Sequence, residues 1–388
     1  MSQLKVNAIS DAAGANGNAI TLATDGTCTA KVTNSLSNRN LIINGDMTCY
    51  QRNAATTTHN SYAADRFKYS VANCDENPTL ERVALTSSDT GPWEKGFRFA
   101  NQFTNGNQTS GAVAGAYIRL MQRIEAQNIA QSGWDYKSAS SKITLSFWVK
   151  SSVAQNFYGY IYTPDGTAQQ YPFETGSLSA NTWTKITKTI PGNSNITVNS
   201  DNGEGLRITW VPFYGTNYTG TPTLNTWAAY SSSASTPAST TTWFTTNDAT
   251  LAITGIQLEV SDHATEFEHR TYSDELARCQ RYYYLHAEGN ENIATGCMYS
   301  STLFAFSVQF PQTMRATPTM EYVSGTDYYL IYRHGTTGDD RYTDMAATRG
   351  STKSIAVDSS TGTSGTAGYA GILACGNAAA KIAFTAEL

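Results

Sequence analysis

The stretch FYGYIY (157–162) decides the fold class of this chain. In an extended strand, successive side chains point to opposite faces, so its three tyrosines project from one face and Phe157 and Ile161 from the other. A helix would spread the same five side chains around its axis. The stretch therefore predicts a β-strand that is aromatic on both faces.

The same kind of segment recurs on both sides of this stretch, separated by polar turns. Nine more strands are predicted at 41–45, 65–71, 80–84, 96–100, 117–123, 143–149, 183–190, 206–213 and 251–260. Ten strands without a long helix predict an all-β jelly-roll sandwich. The segment SSSASTPASTTT (231–242) is predicted to be a loop inside this domain.

Four regions are predicted along the chain: an N-terminal segment (1–40), the jelly roll (41–270), a short connecting helix (271–286) and a C-terminal β-domain (287–388). The N-terminal segment has too few apolar residues to form a core, so we expect it to need a partner. The C-terminal domain is predicted from the alternation in 300–310 and from strands at 319–323, 328–332, 354–357, 370–374 and 380–385.

The helix is predicted to begin after Ser273 as N-cap, with two acidic residues in its first turn, and to end near Leu285. Because so short a helix is marginal alone, its apolar stripe must pack against something. Packing within the chain and a three-helix neck between copies both remain open. The stripe consists of Tyr272, Leu276, Cys279 and Tyr283.

Composition excludes several classes of function. The net charge of -5 over 388 residues gives no basic field for a phosphate backbone, so no nucleic-acid partner is expected. We find no hydrophobic signal segment and no run of about 18 apolar residues, so membrane insertion is not expected either. The sequence thus predicts synthesis in a cytoplasm.

Short motifs that follow one another in order over roughly 41–320 resemble those of known protein families. The chain resembles tail-fibre and receptor-binding proteins of marine tailed bacteriophages, and its NGDM and ITGIQLEV segments are similar to the first and last strands of jelly-roll carbohydrate-binding modules. The motifs are LIINGDM (41–47), QR (51–52), AADRF (63–67), MQRIEAQN (121–128), ITLSFWVKSS (143–152), ITGIQLEV (253–260), FEHRTYSDELARCQRYY (267–283) and FPQTMRATPT (310–319).

The resemblance implies a homotrimeric tail fibre located in the virion. Its N-terminal segment, 1–40, would bind other virion proteins, and its exposed part would adhere to host-surface polysaccharide or lipopolysaccharide. Two alternatives stay open: a capsid head fibre or decoration trimer with a mainly structural role, and a polysaccharide-degrading tail spike. The second is disfavoured because no pair of carboxylates is spaced for glycoside cleavage, so no catalytic residue is assigned and no enzyme is expected.

Sugar binding requires aromatic rings that stack on pyranose C–H faces. The candidates are Tyr158, Tyr160 and Tyr162, which share one strand face, together with Trp227. We expect them to form a flat, uncharged aromatic face. The competing interpretation places each ring in the sandwich core or in the trimer seam.

No cofactor is expected, and a structural calcium ion is the alternative. Jelly-roll modules of the resembled kind often hold calcium near their first and last strands, where Asp46 and Glu259 could supply oxygen atoms. No contiguous oxygen-rich loop is present, and Asp46 is better interpreted as a turn residue.

Charged residues within the motifs are interpreted as structural. They stand beside apolar strand residues, and a partly buried charge must be paired. We therefore expect ion pairs at strand ends or in the trimer interface, formed by Arg52, Asp65, Arg66, Arg123 and Glu125.

Overall fold

A computed structural model describes residues 8–10, 18–22, 28–30, 38–333, 340–359 and 362–388. Most of the predicted attachment segment, 1–40, lies outside these ranges. The described parts of that segment form an antiparallel sheet in which the second strand is central. Its strands are β1 (Ala8–Ser10), β2 (Asn18–Leu22) and β3 (Cys28–Ala30).

The next region is a sandwich of two antiparallel sheets, and strands make up 42% of the chain against 6% in helices, which confirms the all-β prediction. Its strands are β4 (Ala55–Thr56), β5 (Ser61–Tyr62), β6 (Lys68–Ala72), β7 (Thr79–Ala84), β8 (Phe99–Thr104), β9 (Tyr117–Glu125), β10 (Lys142–Ser151), β11 (Asn156–Thr163), β12 (Gln169–Ser177), β13 (Thr184–Pro191), β14 (Glu204–Tyr214), β15 (Ala228–Ala229) and β16 (Thr250–Val260).

These strands form a six-stranded sheet, in the order β13-β10-β16-β8-β7-β4, and a seven-stranded sheet, in the order β15-β12-β11-β14-β9-β6-β5. Side chains that point inward from both sheets form one hydrophobic core. Phe147 of the six-stranded sheet lies 5.9 Å from Trp210 and 6.3 Å from Phe173 of the other sheet, measured between ring centroids. The alternation of strand residues thus produces the predicted sandwich.

Helices are few and short in the described part of the chain: a 3-10 helix at Trp93–Lys95, α1 (Ala126–Ala130), α2 (Thr242–Thr245) and α3 (Tyr272–Gln280). None of them combines the length and apolar character that crossing a lipid bilayer requires. The helix predicted near 273–285 is α3, but both of its predicted ends are wrong. Its N-cap is Thr271, whose hydroxyl accepts a hydrogen bond from the Asp274 N–H, and the chain turns into a strand at Tyr283.

The C-terminal strands form a second hydrophobic core and define what we call the distal domain (283–388). A three-stranded sheet has the order β17-β26-β20, and a seven-stranded sheet has the order β22-β21-β25-β18-β19-β24-β23. The strands are β17 (Tyr283–Glu288), β18 (Asn292–Met298), β19 (Phe304–Gln309), β20 (Thr319–Tyr322), β21 (Tyr329–Arg333), β22 (Asp340–Tyr342), β23 (Ala346–Gly350), β24 (Ser354–Ser359), β25 (Ala370–Cys375) and β26 (Lys381–Thr385).

The strand predicted at 41–45 is absent, because Asn44 has a φ of 62° and bends the chain. Its side chain instead bridges backbone groups, accepting from the Cys49 N–H at 2.8 Å and donating to the Asp65 carbonyl at 3.0 Å. Gly45 lies against β16 so closely that a Cβ atom there would be 2.1 Å from the Ile256 carbonyl oxygen. The NGDM motif is therefore a close backbone contact onto the last strand of the sandwich.

A buried cluster of charges joins the sandwich to the distal domain. Arg52 contacts the Asp65 carboxylate at 3.3 Å and the Glu387 carboxylate at 3.2 Å, and Arg66 also pairs with Glu387. Burial raises the pKa of Asp65, although Arg52 and hydrogen bonds from Gln51 oppose the rise. We call Arg52, Asp65, Arg66 and Glu387 the junction cluster.

Two other predicted ionic residues lie nearby. Glu125 is buried and accepts hydrogen bonds from the Arg281 guanidinium at 2.7 Å, and Arg123 pairs with Glu204 at 3.0 Å. The prediction that these motif charges form structural ion pairs is confirmed, and the pairs lie within one chain.

Candidate functional site

Three predicted tyrosines share the outer face of the seven-stranded jelly-roll sheet. Phe157 and Ile161 of β11 point into the core, so Tyr158, Tyr160 and Tyr162 point away from it. Across the ladder these tyrosines lie opposite Val211, Thr209 and Arg207 of β14, respectively. We call this outer surface, around the three tyrosines, the tyrosine face.

Tyr160 is the buried member of the three tyrosines on the tyrosine face. Only 1% of its surface is exposed, and its hydroxyl lies 3.2 Å from the hydroxyl of Tyr214, which is also buried. Burial, and next the neighbouring Tyr160, raise the pKa of Tyr214 well above its usual value, so the Tyr214 phenol stays neutral. Tyr160 therefore supports the face, and its own ring does not reach a ligand.

Tyr158 and Tyr162 are half-buried, and their rings reach the surface. The Tyr162 ring makes an edge contact with Tyr230, with 4.7 Å between centroids, and the Arg207 guanidinium lies 4.7 Å from the Tyr162 centroid. Such a ring, fixed by a second ring and a cation, can stack on a sugar without losing much rotational freedom.

A long loop, 215–241, brings further rings to the same place. It is fixed to the sheet by hydrogen bonds from the Tyr230 N–H to the Ala168 carbonyl, at 2.8 Å, and from the Gln170 amide to the Ala234 carbonyl, at 3.1 Å. Tyr218 of this loop lies 5.3 Å from Tyr117 of β9. Most of the predicted loop 231–242 belongs to this connection, inside the jelly roll as expected.

Cations also lie on the tyrosine face, which contradicts the expectation of an uncharged surface. Alternation along β6, β9 and β14 places Lys68, Arg119, Arg123 and Arg207 on the outer side. Glu204 holds two of them, accepting from Arg207 at 2.8 and 3.1 Å and lying 3.0 Å from Arg123.

Burial, and next the positive charge of Arg123, lower the pKa of Lys68, and Arg119 and Arg207 act in the same direction. The cations of this face are therefore close enough to repel one another. Such a surface can stack against sugar rings and donate several charged hydrogen bonds at the same time.

Trp227 is not part of the tyrosine face. It lies in the sandwich core, 5.3 Å from Tyr171 between centroids, and its indole N–H donates to the Pro191 carbonyl at 2.7 Å. The short strand β15 follows it directly and fixes the chain at the sheet edge, which turns the indole inward. For Trp227, the prediction of a sugar-binding ring is therefore wrong, and the alternative that places the ring in the sandwich core is correct.

The helix stripe is divided between surface and core. Tyr272 is 57% exposed and Leu276 is partly buried, whereas Cys279 is fully buried and Tyr283 belongs to β17 rather than to the helix. The buried half of the stripe therefore packs within its own chain, and a neck through all four positions is contradicted.

The two weak calcium candidates have other partners. The Asp46 carboxylate accepts from the Thr48 N–H at 3.3 Å, as a turn residue does, and the buried Glu259 accepts from the Thr265 N–H at 2.9 Å and hydroxyl at 2.7 Å. Across the described residues, no three His, Cys, Asp or Glu side chains come together in a way that could hold a metal ion.

Arg119 and Arg207 were missed by the sequence analysis, although a signal was present. Arg119, Met121 and Arg123 repeat at a period of two within a predicted strand, and the inward positions between them are apolar or amide. Charged residues on the outward face of a strand next to aromatic strands could have indicated a mixed cationic and aromatic surface.

No family model and no curated protein matches this sequence. Among solved structures, the enzymatically active domain of tailspike protein 4 from Bacteriophage CBA120 has a TM-score of 0.30 and 11% identity, covering 57% of this chain and 21% of that one. The chain thus spans about a fifth of the length of that tailspike.

Two carbohydrate-binding structures give similar values. TmCBM61 in complex with β-1,4-galactotriose has a TM-score of 0.28 and 13% identity, covering 57% of this chain and 99% of that one. The N-terminal cellulose-binding domain of Cellulomonas fimi β-1,4-glucanase C has a TM-score of 0.28 and 8% identity, covering 55% and 97%. Similarities of this size carry no functional conclusion.

Proposed function

We propose that the chain is an adhesin whose jelly roll binds a host-surface polysaccharide or lipopolysaccharide on the tyrosine face. One observation carries this proposal: the half-buried Tyr158 and Tyr162 lie on one sheet face, on either side of the buried Tyr160, and Arg207 lies against the Tyr162 ring. Flat rings bind the C–H faces of sugars, and guanidinium groups donate hydrogen bonds to their oxygen atoms.

The expected affinity of one such site is low. Stacking contributes on the order of 1 kcal/mol per ring, so a single sugar should bind no better than roughly millimolar. Linked sites raise effective affinity by about 10²-fold or more without any new contact. Weak sites therefore suit an adhesin that presents several copies of the same surface.

The test is a comparison of two single substitutions that each remove one ring. Tyr162→Ala should weaken binding of the recognised glycan about fivefold per site, because about 1 kcal/mol of stacking is lost. Tyr332→Ala, which removes a 49% exposed ring in the distal domain, is the matched control and should leave binding unchanged. Binding would be measured by titration, with adsorption to host cells as a second readout.

The reverse result would move the receptor site. If Tyr332→Ala abolishes adsorption while Tyr162→Ala does not, the distal domain carries the binding surface. The melting transition of both variants should match that of the parent protein, so that loss of folding is not mistaken for loss of binding.

We further propose that the adhesin is a homotrimeric fibre of a phage virion, attached through residues 1–40 and without catalytic activity. The motif order supports the fibre. Within each chain, the junction cluster would hold the jelly roll and the distal domain together. Light scattering of the purified 42.0 kDa chain should give about three times its mass. A stable monomer or dimer would contradict the trimer.

Labelled virions would test the place of attachment. Label at the tail is the expected result, and label on the capsid would favour the head fibre or decoration trimer. Particles that carry a chain lacking residues 1–40 should lose the protein, and normal incorporation would place the anchor elsewhere. New reducing ends after incubation with the bound polysaccharide would contradict the absence of catalysis.

A further inference from the structure

The tyrosine face has an excess of positive charge that its own carboxylates do not neutralise. Glu204 is shared between Arg123 and Arg207. Within the described residues, neither Lys68 nor Arg119 forms an ion pair. Two cations without a carboxylate therefore lie on the same sheet face as the accessible rings, on a chain whose overall net charge is -5.

Arg119 occupies the centre of this excess. Its guanidinium lies 4.8 Å from the centroid of the Tyr117 ring and beside the hydroxyl groups of Tyr160 and Tyr214. Ring contacts fix the plane of a guanidinium, so that its N–H groups are held in one orientation. Arg119 is thus a preorganised donor on a surface that also offers stacking rings.

Polar groups without partners lie beneath the same cations. The hydroxyls of Ser70 and Thr209 and the Nε of Arg119 are buried and have no hydrogen-bond partner within the protein. Ser70 and Thr209 are both fully buried and, by strand alternation, point to the outer side of the sheet, where Ser70 is directly opposite Arg119 on the ladder. Because neither residue has exposed surface, they add polar groups beneath the tyrosine face but do not themselves reach a ligand.

We propose that the ligand of the tyrosine face is an acidic glycan, with a carboxylate, sulfate or phosphate group that Arg119 binds while Tyr158 and Tyr162 contact the sugar rings. This inference rests on the proposed function and names the chemical class of its ligand. Arginine presents N–H groups in a fork that matches the oxygen atoms of such anions. A neutral glycan would leave both unpaired cations without a counter-charge.

The experiment compares paired polymers that differ only in charge. The full chain is titrated with polygalacturonate and its carboxyl-reduced neutral form, and with dextran sulfate and dextran. Acidic polymers should bind about tenfold more tightly than their neutral counterparts, and raising the salt concentration from about 50 to about 300 mM should reduce that difference.

Arg119→Gln should weaken binding of the acidic polymers about tenfold and leave any neutral binding unchanged. Lys185→Gln is the charge-matched control, because Lys185 is exposed on the other sheet of the sandwich, in β13. Equal losses in Arg119→Gln and Lys185→Gln would overturn the proposal, since only the overall charge would then matter.

Arg119→Lys is the control that separates a folding defect from loss of the anion contact. It keeps the charge and most of the aliphatic stem, so it should keep a preference for acidic polymers with lower affinity than the parent protein. If Arg119→Lys retains full affinity, or prefers neutral polymers, Arg119 is not the anion contact and the proposal fails.

Failure of this inference is distinguishable from failure of the proposed function. Equal binding of acidic and neutral polymers that is weakened in Tyr162→Ala would overturn the acidic ligand and keep the glycan-binding face. Binding of none of the four polymers by the parent protein would count against both proposals.

Discussion

The jelly roll and the distal domain each contain a seven-stranded sheet, and the outer faces of these sheets expose aromatic rings to different degrees. On the jelly roll, Tyr160 is 1% exposed and its neighbours Tyr158 and Tyr162 are half-buried. On the distal domain, Tyr332 is 49% exposed and Ile372, its partner across the ladder, is 46% exposed. The same strand geometry therefore produces a supported surface in one domain and an open one in the other.

The difference comes from what lies next to the rings. At the tyrosine face, the loop 215–241 is hydrogen-bonded to the sheet, and the strands carry long cationic side chains. Together they cover Tyr160. On the distal sheet, Ile372 lies between Tyr332 and the small Thr295. Strand alternation decides which side chains share a face, whereas loops and neighbouring side-chain lengths decide whether that face is covered.

The largest expected effect is a difference in how much one ring on each face contributes to the free energy of unfolding. Tyr160→Ala should reduce the free energy of unfolding by roughly 3–5 kcal/mol, because it removes a fully packed ring and leaves a cavity. Tyr332→Ala should change it by no more than about 0.5 kcal/mol, because half of that ring is already in water. Chemical denaturation of both variants measures the difference.

Equal losses of unfolding free energy in the two variants would contradict this difference between the faces. A large loss in Tyr332→Ala would mean that another copy of the chain covers the distal ring in solution, and its denaturation midpoint would then depend on protein concentration. A small loss in Tyr160→Ala would mean that the tyrosine face is not packed as the structure shows.

The next effect concerns the connection between the two domains. Glu387→Gln removes one charge from the junction cluster and leaves Arg66, which is 3% exposed, without a carboxylate partner. Breaking a buried ion pair in this way should destabilise the protein by about 3 kcal/mol. Calorimetry should show the jelly roll and the distal domain unfolding at more widely separated temperatures than in the parent protein.

Glu266→Gln is the matched control for this substitution. Glu266 pairs with Lys95 at 3.3 Å, but the two side chains are 62% and 51% exposed, so the loss should be below about 1 kcal/mol. Similar losses in Glu387→Gln and Glu266→Gln would show that the junction cluster does not couple the domains.

Much of the fold could be predicted from the sequence because strand alternation is a local property. Most of the predicted strands of the jelly roll are present, whereas β12 was missed because Pro172 interrupts its pattern. The proline is tolerated there because β15 pairs only with Gln169 and Gln170, and beyond it the Pro172 carbonyl accepts from the Asn225 N–H at 2.8 Å, a bond that needs no N–H on Pro172. Strand β17 was missed because its first residues continued the apolar stripe of the helix.

The candidate site was harder to predict because it depends on long-range contacts. That three tyrosines share a face follows from their spacing, but the burial of Tyr160 follows from its contact with Tyr214, 54 positions away in the sequence. Trp227 was assigned to the face because it is near in sequence to other rings, and only the packing of β15 against β12 shows that it points inward.

The smallest expected effect is a difference in acid sensitivity between the domains. In the distal domain, His286 contacts the Ile293 carbonyl through Nε2 at 2.7 Å and the Tyr284 hydroxyl through Nδ1 at 3.1 Å, an arrangement that fits the neutral ring. Burial lowers the pKa of His286, although the bond to Ile293 and the charge of Glu291 oppose the shift. In the jelly roll, burial alone would raise the pKa of Asp89, but hydrogen bonds from Lys150 and Trp183 outweigh it and lower the pKa to about 2.

These shifts act in different pH ranges. Since the pKa of His286 is lower in the folded state, the unfolded chain binds its proton first, and stability falls as the pH drops through the usual histidine range near 6.5. Since the pKa of Asp89 is also lower when folded, its contribution is complete above pH 3.8 and is lost between 3.8 and about 2. Thermal unfolding between about pH 7 and 5 should therefore show a smaller drop in melting temperature for His286→Gln than for the parent protein. Asp89→Asn should melt at a lower temperature than the parent protein from pH 7 to 5, with the same drop across that range, and the gap between the two should close only below pH 3.8. A parent-like drop in His286→Gln would assign the acid sensitivity to other groups.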